Sequence, residues 1–272
     1  ILIDAFGLNG GAEKVMINTY RALKKSFSPI CMMPDSSGHH SKIDSGDFLG
    51  FNSTFDLIRK VVKASPEIII LNNKLALKYL IPLKIICPKL KVIYHSHAYF
   101  RNRFEQFIYK LLFLKLLDKV ICVSESLKKN HIDNHEDKKH HVIYNGFNFS
   151  YPEIKKKKDG KINVFFWAQF REWKGHLFLL DVISEINNNS VQFHFLANIQ
   201  DKESEMLYSK INRTIKNNKL SKKIKFHLNI ENHLSFINKN ADIALSCSQV
   251  ADPLPTIIIE SLSMGIPILA TN

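Results

Sequence analysis

No run of eighteen uncharged apolar residues occurs in these 272 residues and no signal peptide is visible, so the sequence reads as soluble or peripheral rather than membrane-spanning. Cysteine is sparse as well. The four thiols, Cys31, Cys87, Cys122 and Cys247, lie in apolar runs without CxxC spacing or a Cys/His cluster. That excludes a zinc site of the usual spacing and predicts buried, reduced thiols of a cytosolic protein. The chain also lacks an initiating methionine, opening on Ile1 inside a strand-like run and stopping just after another, so it is expected to be cut at both ends. Acidic residues are too few to balance the basic ones. The formal net charge of +13 favours anionic partners, whether nucleotide phosphate, anionic lipid or nucleic acid, without choosing among them. Much of the excess sits in Lys128 and Lys129, Lys155 to Lys158, and Lys222 and Lys223, a pattern typical of solvated surface. Aromatics interleaved with cations, which a nucleic-acid surface needs, are missing because the phenylalanines fall mostly inside strand runs. No nucleic-acid partner is expected; a basic nucleic-acid-binding protein stays as an alternative that a salt-dependent shift with RNA would revive.

With 45% hydrophobic residues, a chain of this length can bury a sizeable core and is expected to form two domains. ILIDAF reads as a strand, and a glycine loop through Gly10 and Gly11 leads into an amphipathic helix. Two glycines allow close approach of a ligand to the backbone, but they fall short of a dinucleotide fingerprint and serve equally well as a tight turn. A polar, irregular stretch from Asp35 to Thr54 follows. SPEIIILNN, KVIYHSHAYF, LLDKVICVS and HHVIYNG then read as strands separated by helices, with Ser124 as a helix N-cap and Asn145-Gly146 as a turn. The segment Tyr151 to Gly160, YPEIKKKKDG, has the composition of a solvated linker, which divides the chain into residues 1–152 and 153–272. Strand and helix signals alternate again beyond it. Such alternation implies α/β domains with parallel sheets covered by helices on both faces, facing each other across a cleft, with ligand sites at the C-terminal strand ends.

The segment from Ala251 to Asn272, ADPLPTIIIESLSMGIPILATN, concentrates the chemistry. Pro255 suits the first turn of a helix and Gly265 with Pro267 stops it, so a short helix is predicted over about Pro255 to Met264. Thr256, Glu260 and Ser263 make a polar stripe and Ile258, Ile259 and Leu262 an apolar one, which puts Glu260 at an edge rather than in the core. Ile266 to Ala270 reads as a central strand. Asp252 and Glu260 thus bracket a helix N-terminus, which attracts phosphate, while carboxylates accept hydrogen bonds from sugar hydroxyls. A nucleotide sugar carries all of these groups. On spacing alone, Glu260 is equally a solvated helix carboxylate and Asp252 a turn residue.

Several motifs together resemble the retaining glycosyltransferases of family 4: GGAEK at Gly10 to Lys14, HSHA at His95 to Ala98, VSES at Val123 to Ser126, VIYNG at Val142 to Gly146, WKGH at Trp173 to His176, and ADIALSCS followed by DPLPTIIIESLSMGIPILAT. The last is similar to the family's acid-x7-acid signature, with Asp252 where glutamate is usual and a PLP loop in place of the common glycine-rich one. The resemblance spans the whole chain. It implies the GT-B fold, two Rossmann-like domains, with residues 1–152 on the acceptor side and 153–272 binding the nucleotide sugar. The implied activity is retaining transfer of a hexosyl unit from a nucleotide-diphosphate sugar to a glycan or lipid-linked glycan, of the bacterial polysaccharide or lipopolysaccharide type. No DxD triplet occurs, which fits a site without metal, and no cofactor is implied.

Residue by residue, the resemblance assigns Glu260 to the donor ribose and Asp252 to the donor sugar hydroxyls beside the reacting carbon. Main-chain groups of Pro253, Leu254, Pro255 and Thr256 would approach the diphosphate, and Lys174 would neutralise it. The family's arginine five residues before that lysine is Gln169 here, with Arg171 as the candidate substitute. Gly10 and Gly11 would close over the donor, and His97 would lie near the sugar, with His95 the competing match. A non-hydrolysing nucleotide-sugar epimerase of the same fold is the alternative enzyme. Finally, Arg101 to Lys119 reads as one helix whose apolar surface is wider than a sheet-covering helix requires. It is either a well-buried helix or one that also touches an anionic bilayer. The resemblance adds that many such enzymes extend lipid-linked glycans at the inner face of the bacterial plasma membrane, which would place this cytoplasmic protein there.

Overall fold

The computed structural model describes residues 1–5, 11–36, 42–132, 138–146 and 160–271. The chain divides into two compact units, Ile1–Phe147 and Asn148–Asn272. The linker expected at Tyr151 to Gly160, and the division after residue 152, fall in a segment outside the described residues except for Gly160.

The first unit is built from β1 (Leu2–Ile3), α1 (Gly11–Leu23), β2 (Cys31–Pro34), β3 (Phe48–Phe51), α2 (Thr54–Ala64), β4 (Ile68–Leu71), α3 (Leu80–Ile86), β5 (Lys91–Ser96), α4 (Arg103–Ile108), β6 (Lys119–Cys122), α5 (Glu125–His131) and β7 (His140–Val142). Its seven strands run in the order β3-β2-β1-β4-β5-β6-β7, every pair parallel. Runs such as IIIL in β4 are apolar without alternation because a parallel sheet is covered on both faces. The order reverses direction between β1 and β4, the place where sheets of this kind leave a crevice at their C-terminal ends. α4 and α5 start at side-chain caps: the Ser124 hydroxyl accepts from Leu127 N–H at the head of α5, and Asn102 accepts from Glu105 N–H at the head of α4.

Two expectations fail here. The stretch Asp35 to Thr54 is not irregular throughout, since Phe48–Phe51 is the edge strand β3. Its signal is interrupted by Gly50, where a Cβ would come within 1.8 Å of Asp35 Oδ1. The helix expected from Arg101 to Lys119 covers only Arg103–Ile108, continues as a π-helical turn over Tyr109–Phe113 and ends, so that Lys119 opens β6. It is not the well-buried helix either. Tyr109 and Leu117 are buried, whereas Phe104, Phe107, Leu111 and Leu112 are exposed.

The second unit contains β8 (Ile162–Trp167), α6 (His176–Glu185), β9 (Val191–Ala197), α7 (Lys202–Asn217), β10 (Ile224–Leu228), α8 (His233–Asn240), β11 (Ile243–Ser246), α9 (Thr256–Ser263) and β12 (Ile268–Ala270). The sheet order is β10-β9-β8-β11-β12, again all parallel, and its reversal falls between β8 and β11. Alternate residues of β8 go to opposite faces. Val164 and Phe166 pack with Leu179, Ile183 and Ile211 under α6 and α7, while Phe165 and Trp167 pack with Ile237 and Ile257 under α8 and α9. Among the described residues β12 pairs with β11 alone, and Leu269 on it is exposed.

All four cysteines are free thiols, three of them buried and Cys87 half-buried. No described helix is long and apolar enough to cross a membrane.

Candidate active site

In the second unit the residues singled out by sequence converge at the switch between β8 and β11. β8 ends at Trp167, Phe170 is anchored in the core, and a 3-10 turn over Glu172–Lys174 leads to Gly175. Gly175 has φ +81°, and a Cβ there would meet the Cys247 carbonyl oxygen at 1.9 Å, so this loop rests directly on the backbone following β11. Gln249 N–H donates to the Trp173 carbonyl at 2.7 Å, tying the two loops a second time. This seating brings Lys174 to Asp252, seventy-eight residues away, with Nζ 2.7 Å from Oδ2 and 4.0 Å from the centre of the Trp173 ring.

α9 follows at once. Pro255 is its N-cap, not its first helical residue, and provides no side-chain cap, so the first N–H groups of the helix point out of its end unclaimed by a capping side chain. Pro253, Leu254, Pro255 and Thr256 are half-buried around that end. The expected stripes are rotated. Ile257, Glu260 and Ser261 form the buried face and Leu262 is 66% exposed, so Glu260, at 1% exposure, lies in the core rather than at an edge. What makes this tolerable is Trp167, whose indole N–H donates to Glu260 Oε2 at 2.6 Å. Spacing along α9 could not show a partner ninety-three residues upstream; the only hint was a tryptophan closing an otherwise apolar strand.

In the first unit, Gly11 is the exposed first residue of α1, and Gly10 lies outside the described residues. His95 is in β5 and His97 just beyond it, their rings 4.2 Å apart. His97 is the one held by hydrogen bonding: its Nε2 lies 3.2 Å from Asn72 Oδ1, and Asn72 in turn donates to buried Asp4 at 2.8 Å and to the Ala12 carbonyl at 3.1 Å. Burial, with His95 as a second cause, holds His97 well below the usual histidine range, and burial brings His95 down to about 4. Both rings are therefore neutral at pH 7. Asp4 and Asn72 carried no motif signal.

The comparisons with known proteins now have a site to refer to. The profile described as Glycosyltransferase Family 4 matches residues 9–151, and that described as Glycosyl transferases group 1 matches residues 148–272. The chain belongs to glycosyltransferase family 4. Among solved structures, HepE from Anabaena in complex with UDP and glucose superposes with a TM-score of 0.82 at 18% identity, covering 99% of this chain and 79% of that one. A glycosyltransferase from Rickettsia africae gives 0.80 at 20% identity over 100% and 78% of the two chains. Sucrose-phosphate synthase from Thermosynechococcus elongatus gives 0.80 at 13% identity over 99% and 80%. At such identities the likeness is one of fold, and the fold is GT-B: two α/β units with parallel sheets. The chain matches no curated protein by sequence.

This family-4 enzyme departs from the pattern of its resemblance at one charge, and Arg171, the candidate substitute, is engaged elsewhere in the structure. The Arg171 guanidinium grips Asp201 with two bonds, at 3.2 and 2.5 Å, donates to the Phe170 carbonyl at 2.9 Å and lies 3.5 Å from Glu203. Arg171 holds the Asp201 carboxyl below the usual aspartate range, and Asp201 itself caps α7 by accepting from Ser204 N–H at 2.9 Å. Arg171 thus fastens a helix start, and Gln169 beside it is half-buried. Lys174 remains as the cation next to Asp252.

Proposed function

We propose that this glycosyltransferase is a retaining enzyme that moves a sugar from a nucleotide-diphosphate donor to a glycan or lipid-linked glycan in cell-surface polysaccharide synthesis. The observation that carries the reading is the Lys174–Asp252 pair at the mouth of the second unit's sheet, with the uncapped end of α9 beside it and Glu260 held behind by Trp167. Lys174 and the α9 N–H groups would stabilise the charge that grows on the departing diphosphate. Asp252 would accept from donor sugar hydroxyls, Glu260 would bind the ribose, and the backbone from Pro253 to Thr256 would approach the phosphates. Gly10 and Gly11 would close over the donor, and His97 would contact the sugar. Breaking the anomeric C–O bond then needs no metal on the diphosphate, and the acceptor attacks the same face that the diphosphate leaves. HepE, solved with UDP and glucose, makes uridine donors the first to try.

The acceptor is proposed to be presented at an anionic membrane. Phe104, Phe107, Leu111 and Leu112 stand exposed on α4 and the turn that extends it, beside exposed Arg101, Arg103 and Lys115. The test is turnover of a panel of nucleotide sugars by full-length protein with membrane-extracted acceptor, with NMR of the product's anomeric configuration, in the presence and absence of EDTA. Retained configuration, dependence on acceptor and survival of EDTA are expected. An epimerised donor formed without acceptor would overturn transfer in favour of isomerisation.

A further inference from the structure

Three neighbouring parallel strands of the first unit, β1, β4 and β5, each deliver one polar residue just past their C-terminal end: Asp4, Asn72 and His97. Asp4 and Asn72 are almost wholly buried, at 0% and 1% exposure, and His97 is half-buried. Asn72 N–H donates to the Ile3 carbonyl at 2.9 Å, so its backbone is fixed by the sheet. Its side chain is fixed as well. The group that meets both the Asp4 carboxyl, at 2.8 Å, and the Ala12 carbonyl, at 3.1 Å, must be the amide NH2, because a backbone carbonyl cannot donate. The amide oxygen is left to face His97 Nε2 at 3.2 Å. An amide oxygen only accepts, so Nε2 must carry a proton.

We infer that Asp4 and Asn72 are positioning residues that hold His97 in its Nε2–H tautomer, so that the ring offers Nδ1 as a hydrogen-bond acceptor to a hydroxyl of the sugar ligand. Among the described residues Nδ1 has no hydrogen-bond partner. The ring stays neutral through burial and through its neighbour His95, so it brings no positive charge to the site. His97 therefore reads a hydroxyl and does not stabilise the diphosphate, which is left to Lys174 and the end of α9. The inference rests on the proposed contact between His97 and the sugar, but the tautomer can be measured apart from it.

The experiment is two-bond proton–nitrogen correlation NMR on full-length protein labelled with nitrogen-15 histidine, with His97→Gln used to assign the ring. At pH 7.5 the His97 nitrogen coupled to both ring CH protons, Nε2, should appear protonated and Nδ1 unprotonated. Asn72→Asp shares one proton with Asp4, keeps an acceptor towards the ring and should preserve the pattern. Asn72→Leu should remove the preference and lower kcat at least tenfold with a smaller change in donor KM, and should cost nothing further in a His97→Gln background. An Nδ1–H or charged His97 in the wild type overturns the inference, as does an unchanged tautomer in Asn72→Leu. Loss of turnover in Asn72→Leu of equal size with and without His97 would show a structural role and overturn it too. Absence of turnover with every nucleotide sugar would refute the proposed transfer and leave the NMR result standing.

Discussion

Lys174 and Asp252 neutralise one another in the free enzyme, with Nζ 2.7 Å from Oδ2 and side chains only 18% and 16% exposed. A diphosphate binding at Lys174 as proposed would have to compete with Asp252 for the lysine, and the carboxylate released in that exchange is the one proposed to take up sugar hydroxyls. On that proposal, binding of phosphate and engagement of sugar would be coupled through one ion pair.

Asp252→Asn is thus expected to separate the two steps. It frees Lys174, so affinity for a nucleoside diphosphate should rise several-fold while kcat falls at least tenfold. Lys174→Ala should weaken the same ligand by ten- to hundredfold, on the scale of one charge-assisted bond. Calorimetry with UDP measures both. Equal weakening in the two variants would show that the pair acts as a structural unit and not as a competitor for phosphate.

Glu260 offers a cleaner comparison because its partner is known. Glu260→Gln keeps an oxygen for the Trp167 N–H, so stability should change little while nucleotide binding weakens by about 1 to 3 kcal/mol. Glu260→Ala leaves the buried indole N–H without its acceptor and should lower the melting temperature as well. If Glu260→Gln binds nucleotide like the wild type, the carboxylate serves packing alone and the ribose assignment is wrong.

Arg171, fastened to Asp201, should matter for stability and not for the donor. Arg171→Ala is expected to lower the melting temperature by loosening the start of α7, with donor KM changed less than threefold. Gln169→Arg, which restores a cation where the family resemblance expects one, should tighten UDP binding. A large rise in donor KM in Arg171→Ala would mean that the guanidinium leaves Asp201 when substrate arrives.

The fold was legible wherever apolar runs were long enough to need covering on both faces, as in IIIL of β4 and INVFFW of β8. It was obscured where glycine and acids broke a short strand, as at Gly50 in β3, and where apolar residues continued past a helix end, as after Phe113. The site was legible as residues but not as partnerships. Asp252 and Glu260 stood out by spacing, yet Lys174, Trp167, Asn72 and Asp4, which meet or hold the candidate residues, come from 25 to 93 residues away along the chain. Local periodicity carries no record of such contacts, and for Glu260 it pointed to the wrong face.

Three buried histidines set the expected pH dependence of stability. Burial lowers His95 to about 4, and lowers His131 and His176 to about 3, with His140 and Lys110 adding to the effect on His131 and Lys174 on His176. Each stays neutral in the folded protein while the unfolded chain takes up a proton below about pH 6.5. Their contribution is therefore fully present above pH 6.5 and is lost progressively towards pH 3 to 4, with a cost on the order of 2 kcal/mol per histidine by pH 5. Urea unfolding at pH 7.5 and 5.0 should show this loss, and His176→Phe, set among Phe166 and Phe170, should reduce it by one histidine's share. Equal stability at the two pH values would rule out neutral burial.

The membrane assignment makes its own demand on α4. Phe104, Phe107 and Leu111 recur at helical spacing and are 71%, 57% and 54% exposed, while Tyr109 and Leu117 anchor the same segment in the core. Phe104, Phe107, Leu111 and Leu112 left in water, beside Arg103 and Lys115, which have no ion-pair partner among the described residues, are costly for a surface with no partner, and the combination suits the headgroup boundary of an anionic bilayer. The protein should sediment with anionic vesicles and not with neutral ones, and release should follow added salt. Phe104→Ser with Phe107→Ser should weaken that binding at least tenfold without lowering the melting temperature, since neither ring supports the core. Arg103→Glu with Lys115→Glu should do the same and abolish the salt dependence that remains. If neither kind of vesicle retains the wild-type protein at low salt, the acceptor reaches this enzyme from solution, and the exposed face of α4 has another occupant.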